Sequence, residues 1–273
     1  MKIALLVCDD SNRTFEHNSG SYVDMFVDLF APLKDEVSRP IIQNAIDQNR
    51  EFQKQQDKKH KIESDDDFSI EQKKEKIELI PFDVRINEYP NDLNIFDGFL
   101  TTGSVHSVYE KLPWINTLKN FIQKLCENNH KYFGICFGHQ LIAQSLGGKV
   151  EQSNEGWMVG VKQTNIIKPQ PWMTPRQSSC HIISSHRDQI VELPPGAEVV
   201  GHSQGCPNSM IKLGETFIGF QGHPEFSKEY ALPLMISRHD QMNEETIEAA
   251  KKSFEVSPDQ HLLRNWIINF FSK

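Results

Sequence analysis

Short apolar runs alternate with longer amphipathic stretches along the first half of the chain. The strand-like apolar runs are residues 1–8, 77–83, 95–101 and 131–135. The stretches with apolar side chains at helical spacing are residues 22–33, 114–128 and 141–146. Such alternation is typical of parallel strands joined by crossover helices, because the chain must return to the same end of the sheet before each new strand. The pattern therefore predicts an α/β fold.

From residue 149 onward, the apolar runs become shorter and are separated by turns. They are residues 157–164, 180–184, 198–202 and 210–213. Short alternating runs of this kind favour an antiparallel region. A final helix is predicted at residues 258–271, which place five large apolar side chains at helical spacing: Leu262, Leu263, Trp266, Ile267 and Phe270.

Cys136 lies between two glycines at the predicted turn from the strand at residues 131–135 into the next helix. Gly134 and Gly138 lack a Cβ, so one can adopt strained backbone angles while the other allows chain and substrate to approach closely. The positive end of the helix dipole favours a thiolate, and free N–H groups there can bind an oxyanion. A cysteine after a buried strand can equally be an inert core residue, so partners elsewhere must decide between the two interpretations.

Candidate partners follow the apolar run that ends at Phe220. His223 comes just after this run, and Glu225 lies two residues further on. A carboxylate at that spacing can orient an imidazole through its second nitrogen. Cys136, His223 and Glu225 would then form a triad in which the imidazole takes up and returns a proton. The alternative is a surface His-Pro-Glu turn without chemistry.

The stretch from Gly134 to Gln140 and the His223-Pro224-Glu225 stretch together resemble the class I glutamine amidotransferase family. The resemblance implies an open, mostly parallel sheet flanked by helices, flavodoxin-like, with a smaller antiparallel region. It also implies that Cys136 is the nucleophile, His223 the general base and acid, and Glu225 the residue that orients it. Gln140 occupies the family's substrate-contacting position.

The same resemblance implies an oxyanion loop after the strand at residues 95–101. Its backbone donors would be Gly103 or Ser104 together with Phe137, the residue after the nucleophile. Ser104 and Val105 replace the family's common Gly-Pro pair, and Gly-Ser here looks like the branch of plant γ-glutamyl peptidases and stand-alone amidotransferase-like proteins.

Further candidate substrate contacts come from a Ser-His-x-Asp stretch that in relatives lies beside the γ-glutamyl pocket. These contacts are Ser185, His186 and Asp188. A loop that packs its histidine against the sheet is the alternative interpretation.

The resemblance implies hydrolysis of the γ-glutamyl amide of glutamine through a glutamyl-thioester. If ammonia leaves, a separate synthetase is expected to receive it, since the chain shows no synthetase region of its own. A γ-glutamyl peptidase acting on glutathione or its conjugates is the first alternative. A non-enzymatic binding or regulatory module is the second.

Composition and charge argue against several classes of binding partner. A net charge of -8 without a basic stripe argues against nucleic acid, and the apolar runs are far shorter than the roughly 20 residues that cross a bilayer. The first run ends at two aspartates, which argues against a signal peptide. We therefore expect a cytoplasmic protein with reduced cysteines. The histidines and cysteines show no metal-ligand spacing, so no metal and no cofactor are expected.

The simplest division of the chain is a single glutamine amidotransferase type 1 domain over residues 1–273. Residues 34–76 are the exception, because they are dense in Lys, Glu, Asp and Gln with few aromatics. Such a composition cannot bury enough apolar surface to offset the entropy of ordering. We therefore predict a charged, flexible insertion there, with a docking arm as the alternative.

Overall fold

The computed structural model of the protein describes residues 1–9, 21–31 and 77–272. The predicted insertion at residues 34–76 lies outside these ranges. No helix in the described part of the chain is long and apolar enough to span a bilayer.

The described strands, in chain order, are β1 (Lys2–Val7), β2 (Glu78–Asp83), β3 (Gly98–Thr101), β4 (Tyr132–Ile135), β5 (Lys149–Gln152), β6 (Met158–Ile166), β7 (Ser179–His186), β8 (Asp188–Glu192), β9 (Ala197–Ser203), β10 (Cys206–Leu213) and β11 (Phe217–Phe220). The described α-helices are α1 (Tyr22–Phe30), α2 (Pro113–Glu127), α3 (Phe137–Ser145), α4 (Lys228–Ser237), α5 (Glu244–Ser253) and α6 (Gln260–Ser272). Short 3₁₀ helices cover Val84–Ile86 and His239–Gln241.

Within the described residues, nine strands form one sheet in the order β2-β1-β3-β4-β11-β10-β9-β6-β7. Neighbours from β2 to β11 are parallel, whereas neighbours from β11 to β7 are antiparallel. The predicted antiparallel region therefore continues the parallel sheet. A separate pair, β5 and β8, lies beside it. The α/β fold class is confirmed, with a mixed sheet.

Both faces of the parallel half are covered by helices. Ile3 and Leu5 of β1 pack into one apolar cluster with α1 and α6, while Ala4 and Leu6 pack into another with α2 and α3. Successive side chains of a strand point to opposite faces, so a strand buried on both sides must be apolar at every position. This explains why β1 appears in the sequence as an unbroken apolar run.

The helix starts and stops follow ordinary capping chemistry. Ser21 and Asp24 form a capping box at the start of α1, and Pro113 occupies the first turn of α2. After α3, Gly147 adopts a φ of 94°, which agrees with the end of the helical stretch predicted at residues 141–146.

Several predicted boundaries were wrong. Helix α3 begins at Phe137 rather than at residue 141, because it starts directly at the turn that carries Cys136. Helices α4 and α5 were not predicted at all. Pro233 inside α4 and the mixed polar composition of α5 weaken the helical signal.

Candidate active site

The turn between β4 and α3 places Cys136 in a strained backbone conformation. Cys136 has φ 50° and ψ −98°, which a residue with a Cβ rarely adopts. Neither Gly134 nor Gly138 has a positive φ, so the expectation that a glycine would carry the strain is wrong.

Both glycines instead allow backbones to touch. A Cβ on Gly134 would lie 2.2 Å from the Gly138 carbonyl oxygen, and one on Gly138 would lie 2.8 Å from the Thr101 carbonyl oxygen. The strand, the helix and the neighbouring strand are therefore packed backbone to backbone, and this packing holds the turn in place.

His223 is delivered by β11, which runs parallel to β4. Its backbone N–H donates to the Ile183 carbonyl at 2.7 Å, so β7 of the antiparallel half fixes its position. Its Nδ1 lies 2.7 Å from Oε1 of Glu225. Because a carboxylate only accepts, Nδ1 carries the proton, and Nε2 is left for another partner.

The Cys136 side chain lies close enough to the His223 ring to act on its charge state. Burial lowers the pKa of this imidazole, but the Glu225 carboxylate and the Cys136 sulfur outweigh burial and raise the pKa to about 10. The structure thus brings the three predicted residues together and favours an imidazolium at neutral pH. A thiol beside an imidazolium is the arrangement that supports a nucleophilic thiolate.

The sequence analysis did not identify three side chains that contact Cys136, His223 or Glu225. Gln221 directs Nε2 at the Cys136 sulfur at 3.6 Å. The Tyr22 hydroxyl donates to Glu225 Oε1 at 3.3 Å, and the Phe226 ring stacks on His223 with centroids 3.9 Å apart. Gln221 and Phe226 flank the His-Pro-Glu stretch, so proximity in sequence was an available signal. Nothing in the sequence pointed to Tyr22.

A cleft of about 320 Å³ opens above Cys136. Of the predicted site residues, the cleft is lined by Cys136, Ser104, Phe137, Gln140, Ser185, His186 and Asp188. His223, Glu225 and Gly103 lie behind its wall. A Cβ on Gly103 would be 2.9 Å from Cε1 of His223 and 2.5 Å from the Tyr22 hydroxyl, so this glycine lets the oxyanion loop pass close to the imidazole.

The oxyanion loop and the N-terminus of α3 face the same cleft. The predicted donors are the N–H group of Gly103 or Ser104 together with that of Phe137, and none of the three has an acceptor among the described residues. The loop is fixed by side-chain bonds: the Ser104 hydroxyl donates to the Cys8 carbonyl at 3.0 Å, and the Val105 N–H donates to Asp9 at 2.8 Å. Serine thus supports the loop through its hydroxyl group.

The predicted Ser-His-x-Asp loop is in fact the junction between β7 and β8. Gln140 donates from Nε2 to the Asp188 carbonyl at 2.8 Å, which ties α3 to this junction. Asp188 accepts from the Ser107 hydroxyl through Oδ2, while its Oδ1 is buried without a partner among the described residues. Because Asp188 lines the cleft, its carboxylate is a candidate acceptor for a ligand's ammonium group.

Burial lowers the pKa of His186 to about 3, so its ring is neutral at physiological pH. Nδ1 lies 3.1 Å from the Asp188 carbonyl and, being opposite an acceptor, carries the proton. Its Nε2 is then an acceptor. In the described part of the chain, no three His, Cys, Asp or Glu side chains are grouped closely enough to hold a metal ion.

The family model for class I glutamine amidotransferases matches residues 68–239, more than half of the 273 residues. The chain belongs to this family. Gamma-glutamyl peptidase 2 of Arabidopsis thaliana is 35% identical over 198 residues, covering 69% of this chain and 79% of the relative. The glutamine-hydrolyzing GMP synthase of Porphyromonas gingivalis is 33% identical over 143 residues, which are 51% of this chain and 27% of that protein.

A solved glutamine amidotransferase from Thermotoga maritima has the same fold, with a TM-score of 0.61 at 19% identity, covering 72% of this chain and 88% of that chain. The family and the fold class predicted from the sequence are therefore confirmed. The curated relatives named above include a peptidase and a glutamine-hydrolyzing synthase.

Proposed function

We propose that the protein hydrolyses the γ-glutamyl amide bond of small γ-glutamyl compounds through a glutamyl-thioester on Cys136. The observation that carries this proposal is the convergence of His223 and Glu225 on Cys136, which lines the cleft. An imidazolium beside a cysteine on a strained turn at a helix N-terminus has no evident structural purpose, whereas nucleophilic catalysis requires it.

In the proposed reaction, the Cys136 sulfur attacks the γ-carbonyl carbon and forms a C–S bond. The Ser104 and Phe137 N–H groups stabilise the oxyanion of the tetrahedral intermediate. His223 then protonates the nitrogen as the C–N bond breaks, and the amine leaves. In the second half, His223 takes a proton from water, the hydroxide attacks the thioester, and glutamate and the thiolate are released.

The walls of the cleft suit the γ-glutamyl half of such a substrate. We assign the Asp188 carboxylate to the α-ammonium group, because Asp188 lines the cleft and its Oδ1 has no partner among the described residues. Gln140 keeps Asp188 in place by donating a hydrogen bond to the Asp188 backbone carbonyl. His186, at the same strand junction, offers a neutral imidazole nitrogen as an acceptor. Ser185 lines the cleft nearby.

Two classes of leaving group remain to be compared by experiment. The 35% identity to a γ-glutamyl peptidase favours a peptide amine, for example from glutathione or a γ-glutamyl dipeptide. The similarity to a glutamine-hydrolyzing synthase favours ammonia that passes to a separate synthetase. We place γ-glutamyl peptides first, because the similarity to the peptidase extends over more of this chain.

The test is glutamate release from glutamine, glutathione and γ-glutamyl dipeptides, measured side by side. We expect Cys136→Ala to abolish release and Cys126→Ala, on the far helix α2, to leave it unchanged. A glutamine-like electrophile should add one mass equivalent to the wild type and none to Cys136→Ala. A folded wild type with an inert Cys136 thiol and no glutamate release would instead favour a binding or regulatory module.

A further inference from the structure

The outer wall of the cleft carries two arginines that the proposed chemistry does not use. Arg187 lies between β7 and β8, and Arg238 lies at the end of α4; both line the cleft. Their guanidinium carbons lie 5.9 Å and 5.2 Å from the centroid of the Trp157 ring. Trp157 also lines the cleft, so one indole positions two cations from different parts of the chain.

Neither guanidinium group forms an ion pair with a carboxylate among the described residues. Arg238 donates from Nη1 to the Ser185 hydroxyl at 3.2 Å, and Nε of Arg187 is buried without an acceptor in the described part of the chain. Asp188, the carboxylate in the cleft lining, is already bonded to Ser107. This wall therefore has unused donors and a surplus of positive charge.

We propose that Arg187, Arg238 and Trp157 form a carboxylate-binding rim that selects γ-glutamyl compounds whose leaving amine itself carries a carboxylate. This inference rests on the proposed function, and it names γ-glutamyl peptides as the substrate class in preference to glutamine. A guanidinium group matches a carboxylate with two parallel hydrogen bonds, and its stacking on an indole reduces the entropy lost on binding.

The position of the rim assigns it to the leaving group. The γ-carbonyl must reach Cys136, and Asp188 takes the α-ammonium group; both residues are buried in the cleft lining. Arg238 is partly exposed and Gln241, which also lines the cleft, is exposed. The group attached to the amide nitrogen extends away from the sulfur toward solvent, and there it meets the rim.

The test measures binding to Cys136→Ala, which cannot form the thioester, by titration calorimetry. The three ligands are γ-glutamylglycine, γ-glutamylglycinamide and glutamine, of which only the first carries a carboxylate on the leaving amine. We expect γ-glutamylglycine to bind about tenfold or more tightly than the other two, as a charge-assisted hydrogen-bonded pair implies. Adding Arg187→Gln or Arg238→Gln should remove this preference, Arg238→Lys should retain part of it, and Arg176→Gln, an exposed control, should leave it unchanged.

Equal binding of all three ligands would contradict the proposal of a carboxylate-binding rim. So would an equal loss for all three in the glutamine variants with unaltered thermal melting, since the arginines would then hold the γ-glutamyl half. Glutamate release by the protein with Cys136 intact is measured in parallel. If γ-glutamylglycine binds preferentially but no glutamate is released, the proposed hydrolysis is refuted and the carboxylate-binding rim is not. If glutamate is released without a binding preference, only the rim is refuted.

Discussion

The parallel and antiparallel halves of the sheet contribute different parts of the candidate site. The parallel half supplies the reactive groups, because Cys136 follows β4 and His223 follows the adjacent strand β11. The antiparallel half supplies part of the wall of the cleft, with Ser185 and His186 at the end of β7, and Asp188 follows at the start of β8 in the separate β5–β8 pair. Reactivity and recognition thus come from separate stretches of chain.

Beyond the ladder between β10 and β11, an isolated bridge also joins the two halves. The N–H of His223 bonds to the Ile183 carbonyl of β7, so the strand that forms the recognition wall also positions the imidazole. Parallel strands end at a common edge and bring their loops together there, which suits a reactive centre.

The sharpest test of this division is His223→Ala. Loss of proton transfer should lower kcat by about 10² to 10⁴-fold while ligand binding by the antiparallel wall is retained. The measurements are steady-state glutamate release and calorimetric binding. His202→Ala, in β9 of the antiparallel half, is the matched control and should leave kcat unchanged; activity that survives His223→Ala would place the base elsewhere.

Gly134→Ala should have the next largest effect, and it acts on stability. Its Cβ would lie 2.2 Å from a backbone oxygen of α3 that cannot move independently, so we expect a loss of about 3 kcal/mol in the free energy of unfolding. Gly214→Ala, in the antiparallel hairpin with φ 59° and open space, should cost about 1–2 kcal/mol through strain alone. Denaturant titration compares the two, and similar losses would contradict the close packing of the turn.

Asp188→Asn tests the antiparallel wall in isolation. Removing the negative charge that we assign to the α-ammonium group should raise KM by about tenfold with a smaller change in kcat. Saturation curves with a γ-glutamyl dipeptide separate the two parameters. A fall in kcat at constant KM would show that Asp188 acts on the chemistry and not on binding.

We expect the substitution Glu225→Gln to have a pH-dependent effect on stability. The pKa of His223 is raised from 6.5 to about 10, so its protonation stabilises the folded state fully below pH 6.5 and progressively less as the pH rises to about 10. The variant loses the carboxylate that holds the proton. The difference in unfolding free energy between wild type and variant should therefore shrink from pH 6.5 to pH 10, and a difference that grows would contradict the assignment.

Tyr22→Phe should have the smallest effect, because it removes a single hydroxyl that donates to Glu225 at 3.3 Å. The bond runs from a neutral hydroxyl group to a carboxylate and is long, so its loss should change kcat by only a few-fold. Pre-steady-state glutamate release measures this change. If the hydroxyl acts through the imidazole, the double variant His223→Ala with Tyr22→Phe should lose no more activity than His223→Ala alone.

The sequence by itself determined the elements whose causes are local. The unbroken apolar run of β1, the glycines around Cys136 and the stop at Gly147 each follow from which residues a strand, a close contact or a left-handed turn accepts. Cys136, His223 and Glu225 were found because short motifs carry them. Helices α4 and α5 were missed, since an internal proline and scattered polar residues leave no clear periodicity.

Only the tertiary structure decided which distant residues share the site. The backbone strain lies on Cys136 and not on its glycines, which instead allow close contacts: a Cβ on Gly134 would meet the backbone of α3, and one on Gly138 would meet Thr101 of β3. Tyr22, Arg187, Arg238 and Trp157 carry no motif, and they reach the site because separate elements pack around it. Contacts between residues far apart in the chain depend on the whole fold, and no local pattern records them.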